Sequence, residues 1–209
     1  MNMKFKYYDT LNILISGGTF LYVLAEVLEW KILNQNIIVI LPISYLIGYF
    51  MNTIGAFLEP IYYWLIGGVP SDCLLTPPKT CHFCKKTLNY TGFWRIRFYE
   101  YDKAIQLLKD ELNDAHASTK KMFGKAMTYS NSNNESRVPD FNAQYAFSRV
   151  IFTLVWLSSI ILSPLYYNVL WGWLLVLALV IISGIRYKER GYYYAKEVLI
   201  EYIKSKEGR

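Results

Sequence analysis

Apolar residues crowd into two blocks, residues 7–68 and 141–185, with a polar middle between them. A helix that crosses a hydrocarbon core of about 30 Å needs roughly 20 largely apolar residues, so each block is long enough for two crossings. The first block is interrupted by Glu29-Trp30-Lys31 and Asn34-Gln35-Asn36, charges and amides that a chain sheds at the edge of lipid. The second is interrupted at Ser163-Pro164, where proline removes a helical hydrogen bond, and at the interfacial turn Tyr166-Tyr167-Asn168. The pattern predicts four membrane helices, over residues 9–28, 37–64, 146–162 and 169–185. It implies an all-α integral membrane protein with its four transmembrane helices arranged as two hairpins.

The polar stretches have their own periodicity, and the chain divides into a hairpin at 7–68, a middle segment at 69–144, a second hairpin at 145–186 and a C-terminal helix at 187–209. Pro70, Pro77 and Pro78 make the start of the middle segment irregular. From Trp94 to Tyr129, Phe98, Tyr101, Ile105, Leu108 and Leu112 recur at spacings of three and four, predicting one amphipathic helix. Residues 130–139, rich in Ser and Asn and poor in apolar anchors, read as a flexible loop. Beyond residue 187, Tyr194, Val198, Ile200, Tyr202 and Ile203 interleave with Lys196, Glu197, Glu201 and Lys204, so the fourth span continues as a helix out of the membrane.

Composition agrees with membrane residence. Of 209 residues 54% are hydrophobic and only 18% charged, against about a quarter in an ordinary soluble domain. Lys and Arg settle the expected orientation. They are frequent near the N-terminus, through the middle segment and in the tail, while the loop after the first helix offers Lys31 alone and the turn at 164–168 none. The positive-inside rule then places both termini and the middle segment in the cytoplasm. The net charge of +6 follows from this bias and is interspersed with acids, so it argues for anionic lipid headgroups rather than direct nucleic-acid binding. The first apolar run lacks a small-residue cleavage site and leads straight into a second span, so it reads as a retained helix.

Two groups of residues carry candidate chemistry. Cys81-x-x-Cys84, with Cys73 eight positions earlier and His82 or His116 as a fourth donor, has the spacing of a tetrahedral zinc site. A single Cys-x-x-Cys pair fits three readings, which are ordinary packing or surface thiols, a structural zinc clip and redox chemistry. A disulfide is disfavoured if the segment is cytoplasmic. The second group is polar residues at membrane depth: Asn52, Glu59, Arg149 and Glu26. Glu26 and Arg149 fall near the ends of their spans, where an interfacial position accounts for them. Glu59 precedes Pro60, where a kink would free a carbonyl beside a carboxylate. Asn52 and Glu59 either line a wet path or hydrogen-bond between helices. Gly17, Gly18, Gly48, Gly55 and Ala56 suit close helix packing, and Trp30, Trp64, Trp94, Trp171 and Trp173 suit interfacial belts.

Catalytic signatures are missing: no G-x-S-x-G, no phosphate-cradling glycine loop, no H-E-x-x-H, and two histidines in all. The expectation is a protein that is not an enzyme. Internal repetition is weak, against the inverted repeats of secondary transporters. The opening Tyr7-Tyr8-Asp9-Thr10-Leu11-Asn12 running into Ile15-Ser16-Gly17-Gly18-Thr19-Phe20, with Phe147-Ser148-Arg149 before one span and Arg186-Tyr187 to Tyr194 after the next, resembles small four-span proteins of bacterial antiviral-defence loci. These are of the kind of the type VI-B CRISPR membrane accessory protein and the Kiwa membrane subunit. The resemblance implies an inner-membrane component, a homo-oligomer that anchors, regulates or permeabilises in concert with a cytoplasmic nuclease or nucleic-acid-binding partner. It carries over no site residue. The competing classes are a stand-alone ion channel or small transporter and, less well supported, a lipid-directed enzyme.

Overall fold

The computed structural model describes residues 3–30, 36–76, 98, 100–132, 136–165 and 169–208. Among these the chain forms α-helices and no strand: α1 (Met3–Val27), α2 (Ile37–Ile66), α3 (Pro70–Leu75), α4 (Tyr101–Leu112), α5 (Thr119–Ser132), α6 (Val138–Leu162) and α7 (Leu170–Glu207). Four of them, α1, α2, α6 and α7, are long and apolar enough to cross a membrane. Their outer faces bear large apolar side chains such as Ile38, Phe57 and Trp171, with Phe57 83% exposed. A surface of that kind is at home in lipid and an aggregation hazard in water. The protein is a multi-pass helical membrane protein.

Several boundaries differ from the sequence expectation. The predicted 94–129 helix is two helices, because Asn113 takes a left-handed conformation at φ 49° and ends α4. The N–H groups of Asn113 and Asp114 then turn back to the carbonyls of Asp110 and Lys109, as in other left-handed helix caps. Both ends of the predicted loop at 130–139 are helical: α5 runs to Ser132 and α6 starts at Val138, with Ser136 and Arg137 non-helical before it. Pro139 sits in the first turn of α6, where its missing N–H costs nothing, and the Val138 N–H donates to Ser136 Oγ at 3.1 Å. Residues 133–135 of that loop, and the turn at 166–168, lie outside the described residues. α7 runs unbroken from the fourth span into the tail, as expected.

The chain forms two compact units. Unit 1 comprises Met1–Pro60 and Ala143–Tyr187, and unit 2 comprises Ile61–Asn142 and Lys188–Arg209. In unit 1, glycine brings α1 and α2 into backbone contact. A Cβ on Gly17 would stand 1.8 Å from the Ser44 carbonyl oxygen, and one on Gly48 would stand 1.9 Å from that of Ile13. No other residue fits there. Five hydroxyls inside the spans bond along their own helices, Thr19, Thr53, Thr153, Ser159 and Ser183 each donating to a carbonyl one turn back, whereas Ser158 Oγ is buried with no hydrogen-bond partner. Met51, Val150 and Leu154 form the apolar centre between α2 and α6, with Phe20 and Ile47 against them.

Unit 2 has a buried apolar core of its own. Leu74 and Leu75 of α3, Ala104 and Leu108 of α4, Met122 and Ala126 of α5, and Val198, Leu199 and Tyr202 of α7 pack together. Phe98, Ile105 and Leu112, members of the predicted apolar stripe, join them. Each fully buried leucine or valine contributes about 1.5–3 kcal/mol. A hydrogen bond of 2.6 Å from Thr119 Oγ1 to Asp72 Oδ1 links α5 to α3.

Candidate functional site

A polar cluster occupies unit 1, built on three of its membrane helices. On α2, Gly48, Asn52, Gly55 and Glu59 follow one another at spacings of four, three and four, so they share one helix face. On α6, Tyr145 and Arg149 are one turn apart. Gly55 makes the approach between them: a Cβ there would meet Thr153 Oγ1 at 2.8 Å and Arg149 Cγ at 3.5 Å. Arg149 reaches α2 with both terminal nitrogens. Nη1 donates to Glu59 Oε2 at 3.2 Å and Nη2 to Asn52 Oδ1 at 3.3 Å. Glu59 Oε1 accepts from the Tyr145 hydroxyl and, at 3.4 Å, from the Tyr187 hydroxyl of α7. The two hydroxyls lie 3.0 Å apart, and their rings stack with centroids 5.4 Å apart. Phe152 continues the stack onto Tyr187 at 5.8 Å.

This arrangement lies toward one end of the spans. At 1.5 Å per residue, Arg149 lies roughly 20 Å along α6 from Leu162, Asn52 roughly 22 Å along α2 from Ile37, and Glu59 roughly 33 Å along the same helix. For a core of about 30 Å this places the cluster in its far half and at its far edge. The Glu59 and Arg149 side chains are 22% and 15% exposed, so the opposite charges meet with little water between them. At this depth ion pairing and complete hydrogen bonding are what make two charges tolerable. One donor is left over: Arg149 Nε is buried and has no hydrogen-bond partner.

The structure therefore brings together Asn52, Glu59 and Arg149, three of the four polar residues singled out from sequence. Arg149, expected near the end of its span, is held by hydrogen bonds to Glu59 and Asn52 of α2. Because α6 begins at Val138, Arg149 is well within the helix and its guanidinium is turned to α2. Glu26 is exposed on α1 and stands apart from the three. Tyr145 and Tyr187 were not anticipated. A signal for them existed, since Tyr145 precedes Arg149 by one helical turn and shares its face.

Of the proposed metal ligands, Cys81, His82 and Cys84 lie outside the described residues. Cys73, on α3, is disulfide-bonded, contrary to the reduced state expected of a cytoplasmic thiol. A sulfur in that bond offers no thiolate to zinc. His116 is exposed in the turn after α4. Among the described residues no group of three or more His, Cys, Asp or Glu side chains is placed to hold a metal ion.

Unit 2 has a second charged centre, at Glu111 of α4. Its carboxylate accepts from Tyr129 at 2.5 Å and Tyr202 at 2.7 Å, and pairs with Lys206 at 3.0 Å and Lys125 at 3.4 Å. Lys206 also lies 4.1 Å above the Tyr129 ring. Burial pushes the Glu111 carboxyl up, but the hydrogen bonds from Tyr129, Tyr202 and Lys206 outweigh it and hold the group at about 2. Burial and the same carboxylate push the Tyr202 hydroxyl well above its usual range. Glu111 thus ties α4, α5 and α7 together as a stable anion, an architectural role.

Fold and site together define a polytopic helical membrane protein with a charge-paired, tyrosine-bridged cluster inside its spans and a small helical unit of its own core. Comparison with known protein families, curated proteins and solved structures found no match.

Proposed function

We propose that this protein is the membrane component of a bacterial antiviral-defence system, acting as anchor, regulator or permeability effector for a cytoplasmic partner. In this reading the spans form two hairpins in the inner membrane, both termini and the 69–144 segment face the cytoplasm, and unit 2 receives the partner. The observation that carries it is the Glu59–Arg149 pair, closed by Asn52, Tyr145 and Tyr187 from three helices. Ionisable residues inside spans mark functional elements by default, and paired charges between packed helices have two discrete states, joined and parted. Joined, the pair holds α2 against α6. Parted, it leaves two charges that demand water, which is the start of a conducting or rearranged state.

The test is ion flux through liposomes holding the purified full chain, with and without the product of the adjacent gene. Flux that appears or changes with the partner, and changes again in Glu59→Gln, supports a partner-gated membrane function. A tight membrane under both conditions in a folded, inserted preparation removes the permeability role and leaves the anchor. The second reading is a stand-alone channel or small transporter, favoured by the intramembrane carboxylate. It requires flux without any partner that Asn52→Leu or Glu59→Gln abolishes. The pairing of both residues with Arg149 counts toward helix-to-helix bonding rather than a permanently wet path.

A further inference from the structure

Glycine inside a helix costs about 1 kcal/mol relative to alanine, and unit 1 shows what the chain gains in return. Gly17, Gly48, Gly55 and Gly184 all stand against a neighbouring helix, close enough that a Cβ would collide or press. Gly124, in the middle of α5, does not fit this pattern. A Cβ there would meet nothing within 4 Å, and the residue is exposed. Its surroundings are equally open: Lys120, Lys121 and Thr128 share the exposed face and Lys125 borders it. Nothing within the described residues uses this glycine, and the face around it is cationic.

The neighbouring helix presents the opposite sign. One side of α4 and the turn after it form an open groove of about 690 Å³ whose lining includes Asp102, Asp110 and Asp114 against the single ammonium of Lys109, with Ile105 at its floor. Asp102 and Asp110 are exposed and eight residues apart, roughly 12 Å along the helix. On α5 the exposed cations are the adjacent Lys120 and Lys121, one turn before Gly124.

We propose that the α5 face of one copy of this chain docks in the α4 groove of a second copy, with Lys120 and Lys121 against the groove carboxylates and Gly124 admitting the partner helix to close range. The occupant is a second copy because the chain itself carries both surfaces, opposite in charge. The proposal concerns unit 2 alone and does not depend on what the membrane cluster does. Such a contact joins two different patches, so it closes into a ring or a symmetric pair or propagates as a chain.

Charge exchange tests it on the full chain in a zwitterionic lipid nanodisc or micelle, reading mass by light scattering at low and high salt. Lys120→Glu/Lys121→Glu gives a chain acidic on both patches, and Asp102→Lys/Asp110→Lys gives one basic on both. The positions are exposed, and glutamate suits the first turn of α5, so both chains fold. Each alone should associate roughly tenfold or more weakly than the parent, and high salt should erase the difference. A one-to-one mixture should recover association, since each patch then meets its opposite. Unchanged association in both variants overturns the proposal, as does a mixture that stays dissociated. So does retained self-association accompanied by lost binding of the lysine variant to anionic vesicles, which would assign the face to lipid headgroups.

Discussion

The membrane cluster predicts strong coupling between Glu59 and Arg149, measurable by a double-mutant cycle. Replacing Arg149 with Met removes the 3.2 Å bond to Glu59 and the 3.3 Å bond to Asn52 while keeping most of the side-chain volume. Each hydrogen bond to a charged group contributes about 1.5–3 kcal/mol. Removing one member of a buried pair costs about 3–5 kcal/mol, because the other charge stays behind without compensation. Exposures of 15% and 22% let some water reach the pair, so the lower end, about 3 kcal/mol, applies to Arg149→Met. Glu59→Leu strands the guanidinium with Asn52 alone and should cost about the same.

The double variant Glu59→Leu/Arg149→Met strands neither charge. Tyr145 and Tyr187 keep each other at 3.0 Å but lose the Glu59 acceptor, and the Asn52 carbonyl loses its donor, at about 1–2 kcal/mol each. The expected coupling is therefore large, with the pair of substitutions costing at least about 2 kcal/mol less than the sum of the singles. Unfolding midpoints of the four proteins in one detergent, followed by helical circular dichroism, measure it. Additivity within about 0.5 kcal/mol would show that the two charges do not hold α2 and α6 together, and the joined state invoked for function would fall with it.

Three further outcomes follow from other parts of the molecule. Gly17→Ala places a methyl carbon 1.8 Å from the Ser44 carbonyl oxygen and should lose about 1–3 kcal/mol, whereas Gly124→Ala meets nothing and should gain up to about 1 kcal/mol; equal midpoints for the two refute the packing account. Glu111, held at about 2 against an ordinary 4.5, contributes stability that is complete above pH 4.5 and drains away as pH falls toward 2. Water screening leaves this at about 1–2 kcal/mol, so wild-type melting temperature should fall across that window and Glu111→Gln should show a much flatter profile. Cys73 reports orientation: in intact cells quenched with a thiol-blocking reagent, a cytoplasmic 69–144 segment should yield an alkylatable Cys73, and a disulfide that persists would place the segment on the oxidising side.

What the sequence revealed and what it hid divide along the range of the interactions. The four spans were readable because a bilayer imposes length and apolarity on each helix separately, so residues 37–64 stand out without any knowledge of their neighbours. The break at Asn113 is equally local: the apolar stripe stops at Leu112, a polar run follows, and the left-handed Asn113 ends α4. The site is another matter. Asn52 and Glu59 were marked by depth alone, and depth fits a pore as well as a helix contact. What distinguishes the two is the partner, and Arg149 lies 90 residues away from Glu59 in sequence. With α6 beginning at Val138, Arg149 lies well within the helix, one turn after Tyr145, and its guanidinium turns to α2. An arginine there must meet an acid, and the α2 face of Gly48, Asn52, Gly55 and Glu59 supplies both the acid and the clearance to reach it. The contact with Arg149 thus decides whether Glu59 reads as a solitary carboxylate facing water or as half of a pair that holds α2 and α6 together.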